Sequence, residues 1–280
     1  ESFRRWYLLA SVRLVAEGPQ VAVKKANTAS QRATRSQVAL GLLGLCLVCG
    51  LLTFGGQVGR LAIGGVVAAC LAVTVLAKLS ALIIGLVAGA RRQEYLALAD
   101  ATLPLYSVLV PLYREADVLG PLIVAMSALD YPRDRLEVLV LVEEDDAETR
   151  AGLSSSSLPP WMQVVVVPPG HPRTKPRACN HGLLHATGEL LVVFDAEDRP
   201  EPDQLRRAAA AFAHLPEKVA CLQARLHIDN GSASWWSRWF ACEYATWFAA
   251  YLPGLQACGA PIPLGGTSNH FRCPVIREMG

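Results

Sequence analysis

Three groups of acidic residues, each standing just after a short apolar run, are the part of the sequence best suited to chemistry. Glu115 follows the run 106–110 by way of Pro111, Leu112, Tyr113 and Arg114; Glu143, Glu144, Asp145 and Asp146 follow 136–142; Asp195, Glu197 and Asp198 follow 190–194. Runs of this length, β-branched or leucine-rich, suit strands buried on both faces, which puts the acids at strand ends. Carboxylates brought together repel one another unless a cation or hydrogen-bond donors compensate them. The pattern therefore points to a divalent metal acting with a polar base or sugar. For residues 143–146 a solvated acidic edge is the competing account, since loop carboxylates are common at surfaces. Residues 195–198 are better fixed, because Arg199-Pro200-Glu201-Pro202 follows as a stiff turn.

Other metal-ligating or redox patterns are weaker. His181 and His185 have i, i+4 spacing, but no carboxylate is placed by the sequence to complete a site, and ordinary helix positions account for them. The eight cysteines are scattered among apolar neighbours, which is not a disulfide framework and fits a reducing compartment. Cys46-Leu47-Val48-Cys49 forms a CxxC inside an apolar run, where small residues of a membrane helix are the simpler reading.

The elements that must position these residues alternate. Strands are expected over 106–110, 136–142, 164–167, 190–194 and 219–226, and helices over 117–129, 147–153, 175–187 and 202–214, with Gly188 ending the third helix as a C′ residue. Such alternation implies an α/β unit: a doubly wound, mainly parallel sheet with ligands at the carboxyl ends of its strands. Residues 154–160, rich in Ser and Pro, read as a surface loop.

Upstream of this unit the composition changes. The chain of 280 residues is 52% apolar and 18% charged, with 26 Lys+Arg against 24 Asp+Glu and a mean hydropathy of +0.30. This excludes a disordered or nucleic-acid-coating protein. The near balance hides a basic segment over 1–36, a stretch over 37–90 whose only charges are Arg60 and Lys78, and a net acidic remainder over 91–280. Those are the three expected domains. Residues 38–56 and 61–90 are each long enough to cross a bilayer, the second with Lys78 snorkelling or facing protein, and a short turn joins them. Lys24, Lys25, Arg32 and Arg35 on one outer flank and Arg91 and Arg92 on the other place both flanks in the cytoplasm, giving a transmembrane hairpin. Within 1–36, Arg4 to Val15 would form a basic amphipathic helix, either on an anionic membrane surface or at the end of an upstream domain. Starting at Glu1 and stopping at Gly280, the chain is expected to be a fragment.

YSVLVPLYRE (106–115), KPRACN (175–180), GELLVVFDAEDRP (188–200) and GGTSNHFR (265–272), in this order, resemble the processive, membrane-bound family 2 glycosyltransferases, the group of cellulose, chitin and hyaluronan synthases. Within it the chain is similar to the DAEDRPEP subgroup that includes the bacteriophage adsorption protein B type. The resemblance spans about residues 37–280.

The resemblance implies a GT-A-like fold behind a two-helix transmembrane hairpin, and a metal-dependent, inverting transfer from a UDP-sugar to a growing polysaccharide or a lipid-linked acceptor. It places the nucleotide on Tyr113, Glu115, Glu144, Lys175, Asn180 and Asp195. Tyr113 would stack on uracil, Glu115 would accept a base N–H, and the register at Glu144 is open by one or two residues. Mg²⁺ or Mn²⁺ falls to Asp195 and Glu197, with Asp198 as a substitute for Glu197. Gly265, Gly266, Thr267, Ser268, Asn269 and His270 would form the loop near donor sugar and acceptor. His171 and His270 fall in loops near the pocket, and His270 is a candidate sugar contact. The catalytic base of relatives, the Asp of a TED motif, and a later QxxRW motif have no counterpart in this sequence, so the fragment is expected to bind nucleotide without turning over. The implied location is a bacterial inner membrane with the domain in the cytosol. Nucleic acid is not an expected partner, and an export or surface-assembly partner is compatible with the resemblance. Two alternatives stay open: a polyprenyl-phosphate sugar transferase, and a non-catalytic membrane subunit of a surface-assembly system. Residues 234–252, dense in aromatics, fit a helix along the bilayer or one packed on the membrane hairpin.

Overall fold

The computed structural model describes residues 8–13, 33–89, 95–171 and 173–279. Its centre is a seven-stranded sheet built from β1 (Leu8–Arg13), β2 (Tyr106–Leu112), β3 (Leu136–Glu143), β4 (Met162–Val167), β5 (Leu190–Val193), β6 (Val219–Ala224) and β7 (Asn269–Arg272), in the order β1-β6-β7-β5-β2-β3-β4. β2 lies parallel between β3 and β5, and β4 extends β3 in parallel. β7 runs antiparallel to both β5 and β6, so the sheet is mixed and mostly parallel, as the alternating pattern predicts.

Both faces of the sheet are covered, which is why its strands read as continuous apolar runs. On one side Val108, Val110, Val138, Val140 and Val192 pack with Leu122 and Met126 of α3 (Leu119–Ser127) and with Leu205, Ala208, Ala209 and Phe212 of α6 (Gln204–His214). On the other, Leu109, Leu139, Leu141 and Leu191 pack with Ala178 of α5 (Lys175–His185) and with Cys273 of α9 (Cys273–Met279). α5 sits close because Gly182 faces β3; a Cβ there would lie 2.7 Å from the Leu141 methyls. α4 (Ala147–Ser155) follows β3.

Four details differ from the sequence reading. The segment 265–272, taken as a loop, includes β7, whose Asn-His-Phe-Arg sequence lacks a strand-like apolar run. Its backbone pairs with β5 and β6 on either side. Over residues 8–13 the backbone is a strand antiparallel to β6, not a helix; β6 leaves an open edge there whose N–H and C=O groups need partners. The rest of the proposed amphipathic helix, and Lys24, Lys25, Arg32, Arg91 and Arg92, lie outside the described residues. α5 ends at His185 with Ala186 extended, so Gly188 is not a helix C′ residue. Gly188 instead lets the chain pass against β2: its N–H donates to Ser107 Oγ (2.8 Å), and a Cβ would meet that atom at 2.5 Å. The helix read over 117–129 begins as a 3₁₀ turn, Ala116–Val118.

Two long apolar helices lie between β1 and β2 in the chain. α1 (Arg35–Phe54) starts at a capping box between Thr34 and Gln37, and α2 (Gly56–Gly89) follows after one residue. Both are long and apolar enough to cross a membrane. α1 has no buried residue, and Leu43 is 68% exposed, a surface that water does not favour over this length. A last helical arm comprises α7 (Trp235–Thr246), a π-helical turn (Trp247–Tyr251) and α8 (Leu252–Ala257), and it packs across α2.

Candidate functional site

The carboxyl ends of β2, β3 and β5 meet the chain entering β7, and there the acids found in the sequence gather. After β2 the backbone turns sharply at Arg114, which holds φ 57, a left-handed conformation unfavourable for a side chain this large. Bonds to the start of α4 hold the turn in place. Arg114 N–H donates to Asp146 Oδ2 (2.5 Å), Glu115 N–H donates to Thr149 Oγ1 (3.1 Å), and Asp146 Oδ1 caps α4 by accepting from Thr149 N–H (3.1 Å). Burial alone would raise the Asp146 carboxyl, but the Arg114 and Thr149 donors outweigh it and hold the group below its ordinary value. Tyr113 is left 43% exposed at the rim, with the Arg114 guanidinium 5.2 Å from its ring centroid.

The four acids after β3 have separate fates. Glu143 is buried and receives both hydrogen bonds of Arg177 Nη1, 3.2 Å to each oxygen. Asp145 pairs with Arg173. Glu144 is exposed, and Asp146 is the one that reaches the Tyr113–Glu115 turn. A solvated edge thus describes Glu144 and Asp145, the latter paired with Arg173, and the position meeting the β2 turn is Asp146, two residues beyond Glu144.

After β5 the side chains diverge. Lys175, first residue of α5, donates to Asp195 Oδ1 and, at 2.7 Å, to the carbonyl of Gly266. Ala196 enters the core, Glu197 is exposed, and Asp198 folds back. Asp198 Oδ2 accepts from Asp195 N–H (2.8 Å) and from the Thr267 hydroxyl, while Asp195 N–H also reaches Thr267 Oγ1 (3.2 Å). Burial pushes the Asp198 carboxyl up, and the Thr267 and Asp195 donors oppose that. Asp198 therefore braces the backbone that presents Asp195. Burial also raises the Glu115 carboxyl, opposed by a Tyr113 backbone bond and reinforced by the charges of Glu197, Asp195 and Asp146. Acids from all three strand ends thus act on one another.

A divalent ion fits this donor set. Asp195 and Glu197 offer hard carboxylate oxygens, and Mg²⁺ commonly takes one or two carboxylates and completes its shell with phosphate oxygens and water. No cluster of three or more protein ligands occurs among the described residues, so any such ion would depend on substrate oxygens.

Ser268 is held at φ 56 because its N–H donates to Val193 O (2.8 Å) and its carbonyl accepts from Ala224 N–H (3.0 Å), tying the 265–268 loop to β5 and β6. Two expected site residues lie elsewhere. His270, expected in a loop against sugar, is fully buried in β7, its Nδ1 2.5 Å from Tyr106 Oη and its Nε2 3.0 Å from Gln204 Nε2. Burial lowers its pKa to about 3. Asn180 is exposed and lines a cavity of about 640 Å³ with Arg177, His181, Leu183, Leu184 and Arg277; neither Lys175 nor Asp195 lines it. His171 is exposed in its loop.

Sequence reasoning missed Gln223. It stands opposite Asn269 across β6 and β7, is 1% exposed, and has no hydrogen-bond partner for either amide atom; Asn269 Oδ1 is likewise unpaired. Gly265 lies over it, close enough that a Cβ would be 2.9 Å from Gln223 Nε2. No local signal marks Gln223, since its role depends on β7. Arg173 and Arg177 were also missed, although four acids in a row call for basic partners.

A family model described as "Glycosyltransferase like family 2" matches residues 104–279. The chain is 30% identical over 196 residues to a probable glucomannan 4-beta-mannosyltransferase 15 of Arabidopsis thaliana, covering 67% of this chain and 36% of that one. It is 34% identical over 184 residues to the probable glycosyltransferase YdaM of Bacillus subtilis (strain 168), covering 64% and 43%. Among solved structures, mannosyltransferase PcManGT from Pyrobaculum calidifontis, in complex with GDP-Man and Mn²⁺, shares 28% identity with a TM-score of 0.40, over 52% of this chain and 43% of that one. The chain spans less than half the length of these curated relatives.

Proposed function

The chain belongs to glycosyltransferase-like family 2, and from that premise we propose that it transfers a sugar from a UDP-sugar to a growing polysaccharide or other glycan, inverting the anomeric centre, while anchored in the plasma membrane by α1 and α2 with the sheet on the cytoplasmic side. The observation that carries this reading is Lys175 bridging Asp195 and the Gly266 carbonyl, because it joins the start of α5, the carboxyl end of β5 and the chain entering β7 around a position suited to a diphosphate.

In this reading Tyr113 stacks on the uracil and Glu115 accepts a base N–H, with Asp146 holding their turn in place. Asp195 and Glu197 are the residues that would hold Mg²⁺ or Mn²⁺, which would stabilise the charge growing on the departing UDP. Lys175 exchanges its contact with Gly266 for a diphosphate oxygen. Asp198 keeps Asp195 in place through the backbone. Thr267 couples the 265–268 loop to that brace, and beneath the loop the Gln223 amide and Asn269 Oδ1 supply unpaired polar atoms of the kind that bind sugar hydroxyls.

Calorimetric titration of UDP into the solubilised chain, with and without Mn²⁺, tests the reading. Metal-dependent affinity that disappears in Asp195→Asn supports it. A well-folded chain with no affinity for UDP overturns it and favours a non-catalytic membrane subunit.

A further inference from the structure

Among the described residues, the cation bonded to Asp195 is the Lys175 ammonium, and it takes an oxygen that a divalent ion would also need. Lys175 Nζ donates to Asp195 Oδ1 and, at 2.7 Å, to the Gly266 carbonyl, so it is held from two sides. Both side chains of the pair are about one third exposed, within reach of a ligand arriving from solvent.

The neighbouring acids offer a free ion little else. Asp198 is turned inward, its Oδ2 accepting from Asp195 N–H and from the Thr267 hydroxyl. Ala196 is buried in the core, and Glu197 is the exposed acid beside Asp195. One exposed carboxylate competes poorly with hydration for Mg²⁺ or Mn²⁺. Two cations on the same Asp195 oxygen would repel each other strongly at a partly buried site.

Lys175 also stands where a cation is unfavourable. It is the first residue of α5, the first turn of that helix carries no acid, and a helix N-terminus is itself positive. Its ammonium therefore needs an anion close by. Asp195 is that anion in the structure, and a diphosphate, which the same helix end attracts, is a stronger one.

A diphosphate arriving with its metal satisfies both members of the pair, Lys175 turning to phosphate oxygens and Asp195 to the metal. Neither ligand does so alone. Lys175 would have to give up Asp195 to a free ion and stand unpaired beside it, while a metal-free diphosphate would leave Asp195 unpaired beside phosphate.

We propose that Lys175 is a built-in cation that keeps Asp195 closed to free divalent metal, and that a nucleoside diphosphate opens the site by drawing Lys175 away, so that metal and nucleotide enter together. This rests on the nucleotide-sugar reading of the site given under the proposed function. Linkage then requires each ligand to strengthen binding of the other. The same exchange frees the Gly266 carbonyl, which carries the event into the 265–268 loop.

The test measures Mn²⁺ binding to the detergent-solubilised chain without nucleotide, from the loss of the free-ion signal in electron paramagnetic resonance at room temperature. Lys175→Met is expected to bind Mn²⁺ at least about tenfold more tightly than the parent. Adding Asp195→Asn to that variant is expected to remove the gain, and Lys175→Arg, which keeps the charge, to bind as weakly as the parent. Arg199→Met controls for charge alone. It removes an exposed cation two residues from Glu197, 3.6 Å from Asp229, and should change Mn²⁺ affinity less than about threefold. No gain in Lys175→Met, a gain that Lys175→Arg or Arg199→Met matches, or a gain that survives Asp195→Asn overturns the inference. UDP affinity of the parent, measured by calorimetry on the same preparation, keeps the two readings apart: it persists in all those outcomes if the site is a nucleotide site. A folded parent chain that binds no UDP overturns the site reading, and this inference with it.

Discussion

Lys175 and Asp195, 20 residues apart in the chain, form an ion pair at the junction of α5 and β5, and the same ammonium holds the Gly266 carbonyl. The pair is about one third exposed on each side, so water screens it and its contribution to stability is small. Its importance lies in what it presents to an incoming diphosphate.

Exchange of Lys175 for Met is therefore expected to leave the melting temperature within a few degrees of the parent and to reduce UDP affinity about 10- to 100-fold, the range for losing one charge-assisted contact. Asp195→Asn is expected to abolish the dependence on Mn²⁺ as well. Titration calorimetry across a metal series distinguishes the two. Equal losses with and without metal in Asp195→Asn would separate that carboxylate from the cation.

Asp198 is expected to act through position. Asp198→Asn keeps an acceptor for Asp195 N–H and for the Thr267 hydroxyl, whereas Asp198→Ala removes it and leaves them only the longer contacts, Asp195 N–H to Thr267 Oγ1 (3.2 Å) and the hydroxyl to Val193 O (3.3 Å). The alanine variant should lose about 1–3 kcal/mol of stability in denaturant unfolding, and the asparagine variant much less. If Asp198→Asn weakened Mn²⁺-dependent UDP binding as strongly as Asp195→Asn, the carboxylate would be a metal ligand and not a brace.

How far the sequence could be read depends on whether a residue's role is local. β2, β3 and β5 were legible because strands covered on both faces need unbroken apolar runs, and the acids after them were legible because each follows its strand directly. Asn269 and His270 were misplaced because β7 is a strand only through its two neighbours; nothing in Asn-His-Phe-Arg announces it. Gln223 was invisible for the same reason. Gly188 was assigned to a helix end because a glycine after a helix has two uses, and close passage against Ser107 can be seen only in three dimensions. The tryptophan arm was recognised by composition, but its crossing with α2 depends on Gly85 and Gly254, 169 positions apart.

The unpaired amide of Gln223 gives a prediction with opposite signs in the free and loaded states. Replacing a buried, unsatisfied amide by an apolar group of similar shape removes a desolvation penalty, so Gln223→Leu is expected to raise the stability of the free protein by about 1 kcal/mol. The same change should lower affinity for a UDP-sugar while leaving affinity for UDP itself unaltered. Equal affinity of the variant and parent for the UDP-sugar would assign Gln223 to the scaffold alone.

Burial of His270 is expected to make the fold lose stability in acid. In the unfolded chain its imidazole gains a proton near pH 6.5, but in the folded protein burial holds the ring neutral down to about pH 3. Across that interval the unfolded state binds more protons, so the contribution is complete above pH 6.5 and is lost as the pH falls, with a slope approaching about 1.4 kcal/mol per pH unit. Once protonated, both ring nitrogens would be donors, and the contact with the Gln204 amide would have to reorganise. The shift would be felt at the site, because β7 leads directly from Ser268 and Thr267, which position Asp195. Melting curves of the detergent-solubilised chain between pH 7 and pH 4 should fall more steeply than those of His270→Gln, in which the other histidines and the carboxylates titrate unchanged. Parallel curves would show that the folded protein accommodates the protonated ring.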